Sequence, residues 1–187
     1  MEVNNYPEFA AYIETLKGYQ DFPCILFYKQ KKGDIPEEDF TAFKKIFIAQ
    51  SYDKINMDAV KKTCRDNKCR CYVMVIDKFF LKFMSKVSLT TDVFLDFLEN
   101  EMLDSSGLHL IDLDDPEIRE DVLCDHLIEL GAKNLYVFRS RTGRSLVFYG
   151  KTEIVDTYNR QIGPENTNSG HNICAINLFI PDYYGSK

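Results

Sequence analysis

The sequence contains no tryptophan, only three histidines, and no apolar run near the roughly 20 residues that a membrane-spanning helix needs. Its opening, Met-Glu-Val-Asn-Asn-Tyr, lacks the basic flank and apolar stretch of a secretory signal, so a cytoplasmic protein with no membrane partner is expected. Neither a G-x-x-x-x-G-K-[ST] phosphate loop nor a G-x-G-x-x-G dinucleotide turn occurs. A G-x-S-x-G elbow is missing too, and no Cys/His pair stands in a recognisable catalytic context. Nor is there a linker, repeat or low-complexity tract, so the 187 residues read as a single domain, 1–187, with an amino-terminal half (1–90) and a second half (91–187).

What is present is ordinary for a folded chain: 45% hydrophobic and 28% charged residues, with 14 Phe and 11 Tyr. Six cysteines, Cys24, Cys64, Cys69, Cys71, Cys124 and Cys174, read as thiols of a reducing compartment. Three of them form Cys64-x4-Cys69-x-Cys71, but the second paired element of a zinc site is missing, so they read as packed structural thiols. His109, His126 and His171 are scattered and read as unliganded.

A net charge of −6 speaks against a protein that coats duplex DNA nonspecifically. The charge is unevenly spread, however: residues 1–90 sum to +3 and residues 91–187 to −9. Within the second half, 91–129 holds 13 acids and Arg119 as its one base, whereas 130–160 holds six bases against Glu153 and Asp156. Adjacent acidic and basic blocks are either two solvated faces or the makings of a site for metal and phosphate together.

Periodicity predicts a helix over 7–17 on Phe9, Tyr12, Ile13 and Leu16, with Asn5 near its cap, and a buried strand over 24–28. Pro36-Glu-Glu-Asp predicts a helix with Phe40, Phe43, Phe47 and Ile48 as its stripe, although Lys45–Ala49 reads equally as a strand. A helix over 55–66 with Ile55, Ala59 and Val60 inward, a strand over 71–76 and a helix from Thr90/Thr91 follow. Next come a strand over 108–113, a helix over 117–130 stopped by Gly131, and a hairpin of 134–139 with 145–149. A closing strand spans 173–180. The expected class is α/β (α+β): one domain with a mixed β-sheet and packed helices.

Two stretches carry the candidate chemistry. Asp112 and Asp114 stand two apart on a strand, hence on one face, where a carboxylate pair can hold Mg2+ or Mn2+ and orient phosphate. Asp-x-Asp is also common at strand ends for turn and cap reasons, and Asp115 reads as such a cap. Arg139-Ser-Arg-Thr-Gly-Arg144, followed by Ser145, offers phosphate or nucleotide contacts from Arg139, Ser140, Arg141, Gly143, Arg144 and Ser145. A hairpin tip rich in solvated arginine is the plainer alternative. A right-handed crossover would make the two strands near neighbours.

Leu110-Ile-Asp-Leu-Asp114, then a helix, a strand and a Ser/Thr-x-Gly turn re-entering a strand, resembles the palm of archaeo-eukaryotic-type primases. The whole chain resembles small proteins of tailed phages infecting Bacteroidetes, through Lys45–Ala59, Arg70–Ile76 and the closing Asn177-Leu-Phe-Ile-Pro181. The resemblance implies a primase-palm-like fold in which Asp112 and Asp114 match the metal-binding aspartates of the first motif. It also implies that Ser140-Arg-Thr-Gly-Arg-Ser145 matches the phosphate-contacting second motif, with Ser145 where the family has histidine. The third motif's aspartate has no clear match, Asp156 and Glu165 being the nearest acids.

Two functions follow as expectations. One is a degenerate primase-like palm that binds a nucleotide or single-stranded nucleic acid with a divalent metal, with Tyr136, Tyr149 or Tyr158 stacking on a base. The other is a non-catalytic phage-encoded protein that binds and modulates a host or defence protein, docking acidic helix faces at 92–104 and 117–129 on a basic surface.

Overall fold

A computed structural model of the chain describes residues 1–15, 23–75, 108–113, 115–151, 153–157, 167–168 and 176–183. They belong to two compact units, residues 1–92 with 175–187 and residues 93–174. The architecture is α+β, with helices and two antiparallel sheets. The helix expected from Thr90/Thr91 lies outside the described residues, as do Leu16, Tyr158, Glu165, His171 and Cys174.

In the first unit, β1 (Val3–Asn4), β9 (Ile176–Ile180), β4 (Arg70–Val75), β2 (Cys24–Lys29) and β3 (Lys44–Ala49) lie in that order. β2 is buried from Cys24 to Tyr28 because it is interior to the sheet, pairing over six residues with both β3 and β4. Helix α1 (Tyr6–Thr15) buries Phe9, Tyr12 and Ile13, the stripe expected from its periodicity. Asn5 fixes its entry by donating to β9, backbone N to Leu178 O at 3.0 Å and Nδ2 to Asn177 O at 2.7 Å. Helix α2 (Met57–Asp66) starts on Asn56, whose Oδ1 accepts from Ala59 N at 3.1 Å. Val60 and Cys64, one turn apart, form its buried stripe, whereas Ala59, expected inward, is exposed.

The helix expected after Pro36 does not form; a single 3-10 turn (Glu37–Asp39) stands there and Lys44–Ala49 is strand β3. Two features redirect the chain. Gln30, buried on the neighbouring strand's end, takes the Thr41 and Phe43 backbone N–H groups on its Oε1 at 2.8 and 3.2 Å. Ala42 between them has a φ of 56°, which no right-handed helix tolerates. Beside that loop, Arg70 donates to Asp34 through Nε and Nη2 at 2.5 and 2.7 Å, an ion pair almost closed to solvent.

In the second unit, β6 (Lys133–Arg139), β7 (Arg144–Tyr149), β5 (Leu108–Leu113) and β8 (Thr167–Asn168) lie in that order. Helix α3 (Glu120–Glu129) crosses from β5 to β6, and the hairpin strand β7 inserts between them. That insertion keeps the two parallel strands β5 and β6 apart, so this sheet is antiparallel and not the mixed sheet expected from the element order: both neighbours of β7 run against it. α3 packs Leu123 and Leu127 on Ile111, Leu113, Leu146 and Phe148, with Ile154 and Val155 of the short 153–157 helix completing this core. It begins three residues later than expected, because Asp115 Oδ1 accepts from Glu117 N at 2.8 Å and holds a turn there. It ends at Gly131, whose φ of +101° and N–H bond to Ile128 O at 2.9 Å close the last turn. Among the described residues, no helix is long and apolar enough to cross a membrane.

Candidate functional site

Strand register decides which candidate residues meet. Asp112 is paired with Ser145 across β5 and β7, and Ser145 with Phe138 across β7 and β6. Leu110, Val147 and Tyr136 fall on the same face by alternation. Ile111, Leu113 and Leu146 occupy the other face, under α3. Leu113 is paired with Arg144, and Arg144 with Arg139, so both strand arginines belong to the α3 side. Asp112 and these two arginines therefore lie on opposite faces of one sheet, and the structure does not bring them together around a single cleft.

On its own face Asp112 is occupied. The buried Ser145 donates its Oγ–H to Asp112 Oδ1 at 2.6 Å, so these two candidate residues contact each other directly. Asp114 lies outside the described residues. Among the described residues, no three His, Cys, Asp or Glu side chains converge as metal ligands do.

The turn between β6 and β7 closes on itself. Ser140 N donates to Gly143 O at 2.9 Å, and Gly143 N donates to Ser140 Oγ at 2.9 Å. Arg144, contiguous with that turn, is turned inward. Its Nη2 donates to the carbonyls of Asp115 and Ile118 at 3.2 and 3.0 Å, and Nη1 lies 3.6 Å from Glu120 Oε2. It clamps the loop that leads into α3. Arg139 is exposed and Arg141 half-buried in the turn. Tyr136 stacks on Phe138 with ring centroids 6.5 Å apart.

The acidic face expected over 117–129 falls on α3, and the feature that the sequence left unread is the pair of exposed apolar side chains beside it. At about 100° per residue, its outward arc runs in the order Ile128, Asp121, Asp125, Glu129, Val122. Three exposed carboxylates thus form a stripe flanked by two apolar side chains, Val122 and Ile128, each 56% exposed. Helical-wheel arithmetic already separates these two from the Leu123/Leu127 stripe, so the signal was available in the sequence. Arg119 is hydrogen-bonded to Asp121 and holds that carboxyl below its ordinary range.

A concavity of about 790 Å³ opens where β6 and β7 meet the 153–157 helix. Lys133, Tyr149 and Lys151 line it with the bare backbone of Gly131 and Gly150. A Cβ at Gly150 would sit 2.6 Å from Ile154 Cδ1, so any larger residue there requires the Ile154 side chain to shift. His109, read as unliganded, places Nε2 3.1 Å from Gly150 O and its ring 5.4 Å from that of Phe148.

Cys64, Cys69 and Cys71 are free, buried thiols in the first unit, with Cys69 N bonded to Cys64 O at 3.0 Å. Burial, reinforced by the Asp53 carboxylate, pushes the Cys24 thiol up to about 12. The hydrogen bond with Cys64 and burial push Cys69 up as well. Such thiols are poor nucleophiles.

No protein-family model matches the chain, and no curated protein or solved structure is matched by it either.

Proposed function

We propose that the protein acts by binding, without turnover, and that the outward face of α3 docks on a basic surface of a protein partner. The observation that carries this reading is the acidic stripe Asp121, Asp125, Glu129 set between exposed Val122 and Ile128. Exposed ion pairs contribute only about 0.2–1 kcal/mol each, so the carboxylates serve steering and register, and the flanking apolar side chains supply burial. A partner segment with two or three basic residues between apolar ones complements this face. The resemblance to phage-encoded proteins makes a host or defence protein the partner to look for. Against turnover at the palm-like strand stand the Ser145–Asp112 hydrogen bond and the commitment of Arg144 to backbone carbonyls.

The test is capture from a host lysate on the immobilised protein, followed by binding of the purified partner. The Asp121→Lys/Asp125→Lys/Glu129→Lys variant should lose the partner, and salt should weaken binding to the unchanged protein. Retention by the reversed variant at full strength would defeat the reading. Glu120 is left alone, because it lies beside Arg144 and its change would disturb the fold.

A second reading is favoured by the 790 Å³ concavity: a nucleotide held there, with Lys133 and Lys151 on phosphate and Tyr149 against the base. In that case nucleoside triphosphate alone should raise the melting temperature, and Lys133→Ala/Lys151→Ala should remove the rise. An unchanged melting temperature in the parent protein disposes of it.

A further inference from the structure

An open sheet edge presents unpaired N–H and C=O groups that recruit further strands, and proteins guard such edges by shortness, bulges or charge. Among the described strands, three of the four sheet edges are guarded. β1 and β8 are two residues each, and β6 carries a register shift between Lys133 and Tyr136 with Asn134 at φ 50°. β3 differs. Its six residues pair with β2 in unbroken register, so it is straight enough to template another strand along its outer side. Phe47 is 53% exposed on it and Ile48 40%, on opposite faces of the strand. Its charges, Lys44 and Lys45, are confined to one end.

We propose that β3 pairs antiparallel with β3 of a second copy about a two-fold axis, joining the two five-stranded sheets into one. This inference is independent of the α3 reading, which concerns the other unit. The segment Lys-Lys-Ile-Phe-Ile-Ala is complementary to itself in that arrangement. A register centred on Ile46 sets Ile46 opposite Ile46, and twice over Lys45 opposite Phe47 and Lys44 opposite Ile48. No lysine then faces a lysine, and each exposed apolar side chain gains an apolar group or a lysine's aliphatic stem. A two-fold contact also uses the same patch on both copies, which is what a single unguarded edge supplies.

Light scattering coupled to size exclusion, over a dilution series, tests it. The mass of the unchanged protein should rise from 21.8 kDa towards twice that value with concentration. Phe47→Lys/Ile48→Lys should stay at 21.8 kDa with an unaltered circular dichroism spectrum, because the two changes set like charges opposite Lys45 and Lys44. A monomer at every concentration overturns the proposal, and so does a double variant that dimerises like its parent. Should the double variant misfold, hydrogen exchange on the unchanged protein decides. Protection of the Lys44–Ala49 amides that grows with concentration supports β3 pairing, and concentration-independent protection refutes it. A monomer that takes up an unrelated extended peptide along β3 also counts against a second copy.

Discussion

Arg144 and Ser145 are adjacent in sequence and point to opposite faces of one sheet. The arginine secures the loop before α3, and the serine bonds Asp112. Read as a string, Arg139–Ser145 is a cluster of phosphate-seeking groups; read as a strand, it divides at every second residue. Period two was legible in advance. Which parity faced the helix was not, because that depends on the pairing of β7 with β5. The consequence for Arg144 is measurable. Arg144→Ala removes charge-assisted bonds to two carbonyls, so urea denaturation should show a loss of about 1.5–3 kcal/mol. A solvated, phosphate-facing arginine would instead leave stability within about 0.5 kcal/mol of its starting value.

The buried thiols make a prediction at the same scale. Cys24 keeps its proton to about 12 in the fold, against an ordinary value of 9.0, and Cys69 is shifted in the same direction. The folded state therefore binds more protons than the unfolded state between those pH values. The resulting stability is intact below pH 9 and is lost as pH rises from 9 towards 12. Chemical denaturation at stepped alkaline pH should show that decline, and Cys24→Ala should make it shallower.

At the level of elements, local periodicity recovered α1, α2, β2, β4, β5 and the β6–β7 hairpin to within a few residues. It left the segment after Pro36 ambiguous. Phe40, Phe43, Phe47 and Ile48 fit a helical stripe, yet the loop is held by Gln30, ten or more residues away in sequence. A window that short cannot contain the acceptor that decides its conformation. α3 shows the converse. Its extent and its acidic face were visible, but the exposed Val122 and Ile128 beside that face were not singled out. The stop at Gly131 was read correctly, and it carries a prediction: Gly131→Ala forces a side chain onto a φ of +101°. The nearest atom to the added Cβ would be 4.0 Å away, so crowding contributes nothing. The expected loss is the backbone term alone, about 1–2 kcal/mol in thermal or urea unfolding. A neutral Gly131→Ala would show that the helix ends in some other way.

For the whole molecule, charge and chain path are divided alike. The second unit holds 15 acidic against 7 basic side chains, a net −8, and the first holds 14 against 16, a net +2. The uneven charge was visible in the sequence. The return of the last strand, β9, to a place between β1 and β4 was not, since antiparallel partners more than 100 residues apart leave no local trace. With the negative charge concentrated in the unit that bears α3, association with a basic partner should be steered. Its association rate should fall steeply with ionic strength while the dissociation rate changes little, as stopped-flow or surface-based kinetics would show.

The central claim is that the carboxylates of α3 touch basic side chains of a protein partner. Zero-length carbodiimide cross-linking of the captured complex, read by mass spectrometry, examines that contact directly, since it joins only carboxylates and amines already in contact. Partner lysines should be found linked to Asp121, Asp125 or Glu129. Cross-links confined to other acids, with these three unmodified by the partner, would contradict it.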